Sequence, residues 1–121
     1  MTSTAALFSF WSSFGIPAFP ALSVPEKQGF PYLTYEISDA QFGDPSVNIA
    51  VQVWYRTESE KTPNDKVREI DQRIGRGGVM LPCDGGGIWI TKGSPFCLHI
   101  GDPTDRLIKL RQLNVNLEYI L

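Results

Sequence analysis

The strongest constraint on this chain lies at its C-terminal end, where Leu113, Val115, Leu117 and Tyr119 alternate with Gln112, Asn114, Asn116 and Glu118. A two-residue period marks a strand that turns one face to a core and the other away from it. The pattern predicts a long final strand over residues 107–120. Upstream its phase reverses, with Ile108 and Leu110 apolar against Lys109 and Arg111. A phase change inside a strand predicts a bulge.

The same period recurs earlier. Leu33, Tyr35 and Ile37 alternate with Tyr32, Thr34 and Glu36, and after a turn at Gly43, Asp44 and Pro45 the residues Ile49, Val51, Val53 and Tyr55 alternate with Asn48, Gln52, Trp54 and Arg56. The connection is too short for a crossover, so the two strands pair antiparallel. Further on, residues 79–81 and 88–90 flank Pro82, Cys83, Asp84 and three glycines, a pattern of two short strands around a tight turn. Phe96, Leu98 and Ile100 suggest another short strand, ended by Gly101, Asp102 and Pro103.

Two segments carry helical spacing. Leu7, Phe10, Trp11 and Phe14 fall on one face of a 3.6-residue period, predicting a helix over residues 4–14 with Thr4 as N-cap and Gly15 as its stop. Four prolines between residues 16 and 31 then exclude a long helix or a central strand and predict an extended connector. The second helix is marked by Thr62 as N-cap, Pro63 at the first helical position and Gly75 as stop. Its apolar stripe of Val67, Ile70 and Ile74 is narrow, which predicts a helix wet over most of its circumference unless another subunit covers it. The expected fold is α+β: a mostly antiparallel sheet of four to five strands, two helices packed on one face, and a long C-terminal strand. With 121 residues the chain holds one domain, 1–121.

Composition narrows the function classes. Hydrophobic residues make up 42% and charged residues 20%, the balance of a globular domain. The formal net charge of −2 gives no general attraction to nucleic acid or to an anionic membrane. The first charged residue is Glu26, which raises the question of a leader. Yet no basic stretch precedes the apolar residues, serines break them, and no run of apolar residues is long enough to span a bilayer. Cys83 and Cys97 lack a CxxC spacing and are expected as reduced thiols in a protein made in the cytosol.

Candidate chemistry is sparse. The glycines at 75, 77, 78 and 85–87 lack the GxxxxGK[ST] and GxGxxG contexts of phosphate loops, and turn geometry accounts for them. Cys83, Asp84, Cys97 and His99 are chemically able to bind zinc but match no recurrent ligand spacing. A cysteine nucleophile with His99 as base lacks an orienting third group. No catalytic, cofactor or metal site is therefore expected. Lys109, Arg111 and nearby Arg106 read as a solvated strand face, with contact to a passing nucleic acid as the alternative. Aromatic residues in the first 25 positions, the thin stripe of the second helix and Trp54 exceed what one small core consumes, which favours self-association.

Several segments resemble a known family: Trp11-Ser12-Ser13-Phe14-Gly15-Ile16-Pro17 with Val24-Pro25, Phe30-Pro31-Tyr32-Leu33-Thr34-Tyr35-Glu36, the stretch Ile74-Gly75-Arg76-Gly77-Gly78-Val79-Met80-Leu81-Pro82-Cys83-Asp84-Gly85-Gly86-Gly87-Ile88-Trp89-Ile90, and Gly93-Ser94-Pro95-Phe96. Together they resemble the tail terminator, or tail-completion, proteins of long-tailed bacteriophages and prophages of Gram-positive bacteria. The resemblance implies a non-enzymatic virion protein, assembled in the host cytoplasm as a ring, commonly a hexamer, on the head-proximal end of the tail tube. Its implied partners are its own copies, the major tail tube protein and a neck or head-completion protein; DNA passes through the lumen and no membrane is involved. On this view Glu69, Arg73, Arg76 and Trp89 are candidates for subunit or neck contacts, and Lys109 and Arg111 face the channel. A head-tail connector or stopper ring is the nearest alternative; a monomeric binding module and a small enzyme using Cys83, Cys97 and His99 are the others.

Overall fold

The computed structural model describes residues 1–38 and 40–121. The chain runs α1 (Ser3–Ser12), β1 (Ala18–Pro20), β2 (Tyr32–Tyr35), β3 (Val47–Arg56), α2 (Lys61–Ile74), β4 (Val79–Cys83), β5 (Gly86–Gly101) and β6 (Ile108–Ile120). The six strands form one mixed sheet in the order β1-β2-β3-β6-β5-β4. The expected α+β class and the long last strand are present, and β2 and β3 pair antiparallel as expected, with Leu33 opposite Val53. The sheet exceeds the expected four to five strands, and it is not wholly antiparallel.

The additional strand is β1, which lies parallel to β2 inside the proline-rich connector. Pro17 and Pro20 bracket it, so it stays three residues long and at an edge, where a missing N–H breaks no ladder. The second difference is β5: the two short strands expected around residues 88–90 and 96–100 are one strand. Its register on β6 shifts between Lys92 and Cys97.

That shift replaces the bulge expected in β6. Strand β6 runs in unbroken register on β3 from Leu117 opposite Val47 to Ile108 opposite Arg56. The reversed hydropathy near Lys109 and Arg111 therefore has another cause. Both cations sit on the same face as Leu113, Val115 and Leu117, turned toward α2.

Both helices cover that one face. Leu7, Phe10, Trp11 and Phe14 from the first helical segment and Ile70 and Ile74 from α2 join Leu33, Val51, Val53, Leu113 and Val115 in a single core. Each such side chain, fully buried, is worth about 1.5–3 kcal/mol of transfer free energy. Helix α1 lies against both β1 and β4, so the sheet curls around it, and the Asp84 N–H donates to the Met1 carbonyl at 2.7 Å across the seam.

Both helix starts differ from expectation. Thr2, not Thr4, caps α1, its Oγ1 accepting from the Ala5 N–H at 3.1 Å. Helix α2 begins at Lys61 with Glu60 in the cap position, so Pro63 occupies the third helical position and Thr62 caps nothing. Pro63 is still within the first turn, where no intrahelical partner awaits its nitrogen. Gly75 ends α2 as expected, at φ +73°.

Candidate interaction surface

Polar contacts join α2 to the covered face at two places: Lys92 Nζ of β5 donates to Asp71 at 2.6 Å, and a larger assembly surrounds Arg111 of β6. Arg111 is 2% exposed, and its Nε donates to Asn64 Oδ1 of α2 at 3.0 Å while Nη2 donates to Glu60 Oε2. Lys109 Nζ donates to the Arg106 carbonyl at 2.9 Å and lies 3.6 Å from Glu60 Oε1. The Arg111 hydrogen bond holds the Glu60 carboxyl below its ordinary range, with both cations adding to the effect. These contacts explain why Glu60 makes no cap: its carboxylate is drawn to β6. Arg111 thus pins α2 to the sheet. It is enclosed within its own chain with its guanidinium turned to α2, which overturns the solvated reading of this residue.

Among the described residues, no helix covers the opposite face of the sheet. Cross-strand partners place Trp54 beside Leu110, Gln52 beside Gln112, Asn48 beside Asn116 and Trp89 beside Glu118 there. Its centre is an amide ladder: Asn48 donates to Asn116 and Gln52 to Gln112, each at 3.1 Å. Trp54 stacks on Tyr32 at 5.8 Å and its Nε1 donates to Thr34 at 3.3 Å. On the far side Met80, Trp89, Leu98 and Ile100 remain exposed. Side-chain pairs satisfy much of this face internally, but its apolar flank stays exposed.

The candidate contact residues are not brought together. Glu69 bonds to Lys66 at 3.0 Å rather than to Arg73, whose guanidinium lies 5.4 Å from the centre of the Phe10 ring. Arg76 is exposed just beyond α2. Trp89 projects from the open face, on the other side of the sheet from α2, with its Nε1 donating to the Gly77 carbonyl at 3.0 Å. Gly78 makes that approach possible: a Cβ there would fall 2.6 Å from Trp89 Nε1, and φ is +85°. Gly86 serves the β4–β5 turn similarly, since a Cβ would come within 2.0 Å of the Ile120 carbonyl oxygen.

Cys83 and Asp84 stand at the β4–β5 turn, whereas Cys97 and His99 lie toward the distal end of β5, opposite Leu113 and Arg111. Asp84 accepts from the Met1 amine at 3.0 Å. Among the described residues no group of three or more His, Cys, Asp or Glu is placed to hold a metal ion. Burial pushes the Cys97 thiol upward, with Arg111 partly opposing the shift, so the neutral form is favoured.

Taken together, these features define an α+β fold with one sheet face covered by helices and, among the described residues, one face without them. No protein-family model, curated protein or solved structure matches the chain. Sequence reasoning missed both the Arg111 anchor and the uncovered face. The signal for the second was present in the amides at Asn48, Gln52, Gln112 and Asn116, which recur at alternate positions of two neighbouring strands.

Proposed function

We propose that this chain is a structural subunit of a bacteriophage particle, a tail terminator that assembles as a ring on the head-proximal end of the tail tube. The observation that carries the reading is the uncovered sheet face, where Trp89, Leu98 and Ile100 are left for other molecules to bury. The motif resemblance supplies the kind of assembly. A ring is a heterologous contact repeated until rotation closes it. One of its faces can then match the last tube ring while the other refuses a further one, stopping growth and presenting a docking surface to the neck.

The subunit acts by shape, with its own copies, the tube protein and a neck protein as partners and DNA in transit through the lumen. Its place is the virion, after assembly in the host cytoplasm. Among the described residues, no helix is long and apolar enough to cross a membrane. Deleting the gene from the phage that carries it tests the proposal. Overlong or unattached tails are expected. Normal tails beside leaking heads would instead identify a connector or stopper, and unaltered particles would end the virion reading.

A further inference from the structure

The two halves of α2 are held down by different forces. Ile70 and Ile74, in its second half, are part of the core, and Asp71 between them bonds to Lys92 of β5. In the first half only Pro63 is buried, with Val67 partly so. What ties this half down is polar: Glu60 and Asn64 on Arg111, Glu60 near Lys109, and Lys66 Nζ donating to the Phe14 carbonyl. Just upstream, Glu58 accepts from Arg106 at 3.3 Å, and both of these side chains are exposed.

Two grooves open beside this half, toward the distal part of β5. One, of about 330 Å³, lies among Asn64, Val67, Phe96 and Cys97; the other, of about 260 Å³, lies among Glu60, His99, Lys109 and Arg111. Residues 58–67 therefore run between two firm anchors, the Thr57 N–H on the Leu107 carbonyl at 2.8 Å and Ile70 in the core, with little apolar area in between. Ion pairs that reach into water are weak and are screened by salt. Arg111 loses its partners when this segment lifts but regains water, so parting them costs less than their closeness suggests. A segment with few buried apolar contacts opens locally before the whole fold does.

We infer that residues 58–67 are a latch, opening over Arg111 while Ile70 and Ile74 keep the second half of α2 on the core. Closed, the latch neutralises Arg106, Lys109 and Arg111 from within the chain. Open, it presents these three cations to an anionic group of a partner, so the contact is autoinhibitory. It requires no assembly of the chain and stands apart from the function proposed above.

Cys97 reports the opening, since it lines the same groove as Asn64 and Val67. In a Cys83→Ser background, alkylation of Cys97 by N-ethylmaleimide at fixed pH should quicken about tenfold between roughly 0.01 M and 1 M sodium chloride, as the Debye length falls from about 30 Å to about 3 Å. Glu60→Gln should bring most of that increase at low salt. Lys61→Gln, which breaks the pair with Asp65 inside the helix, should leave the rate unchanged. Hydrogen exchange in Glu60→Gln should speed at the amides of residues 65–67 and not at those of 71–74. A rate indifferent to both salt and Glu60→Gln, an equal rise in Lys61→Gln, or exchange that speeds equally along all of α2 overturns the latch.

Discussion

The two faces of the sheet are made by the same strands and are satisfied in opposite ways. On the covered face, alternate residues of β3 and β6 meet two helices, and the one large exception to apolar packing, Arg111, is bonded to Asn64 and Glu60. On the open face, the intervening residues pair sideways, amide to amide and ring to ring, with no helix above them among the described residues. The first arrangement makes the fold; the second leaves a surface that keeps its shape without being consumed by folding.

Substitutions should separate the faces cleanly. The largest effect is expected at Trp11, which is wholly buried. Trp11→Ala should cost about 3–5 kcal/mol in denaturant unfolding, enough to leave little folded protein. Trp11→Phe should cost far less, because the indole N–H has no hydrogen-bond partner to lose. Gly86→Ala, which drives a methyl group into the Ile120 carbonyl, should cost about 3 kcal/mol although it lies at the very start of β5.

Arg111 sharpens the comparison, being a cation on the apolar side. Arg111→Ala should cost about 2–3 kcal/mol by opening a void between α2 and β6, whereas Arg111→Met, which keeps most of the volume, should cost less than about 1.5 kcal/mol. On the open face, Gln112→Ala or Asn116→Ala should each change stability by less than about 1 kcal/mol, the scale of one cross-strand pair. A large loss there would mean that the open face is part of the folding core after all.

The smallest effect concerns pH. The Glu60 carboxyl is held below its ordinary value of 4.5, chiefly by the Arg111 hydrogen bond. A depressed folded value means that the ionised group stabilises the fold in full above pH 4.5, and that this contribution is lost as pH falls through the lower folded value. Glu60→Gln should therefore be slightly less stable than the parent at neutral pH. The two stability curves should converge in stronger acid, as thermal unfolding over a pH series would show.

The core was legible in the sequence wherever one period ran undisturbed. The alternation of β3 and of the end of β6, and the Leu7, Phe10 and Trp11 face of α1 with Phe14 just beyond it, pointed to residues that are buried. Legibility failed where a tertiary bond overrode a local rule. Lys109 and Arg111 looked like a change of phase because a pattern of hydropathy has no means of showing that a helix will supply Glu60 and Asn64 opposite them. The cap at Thr62 failed for a related reason, since α2 starts earlier, beside a carboxylate already engaged by β6. Strand β1 was hidden by its prolines, which forbid a central strand and permit an edge. Of the candidate contacts, the sequence pointed to individual residues, but only the fold shows that Trp89 and the α2 residues lie on different faces.

Native mass spectrometry of the purified chain, alone and bound to tail tubes, bears most directly on whether this polypeptide is a ring subunit. The expected result is one closed multiple of the 13.5 kDa subunit, six by the family resemblance, seated at a single end of each tube. Monomers under both conditions, or an open-ended distribution of sizes, would contradict it.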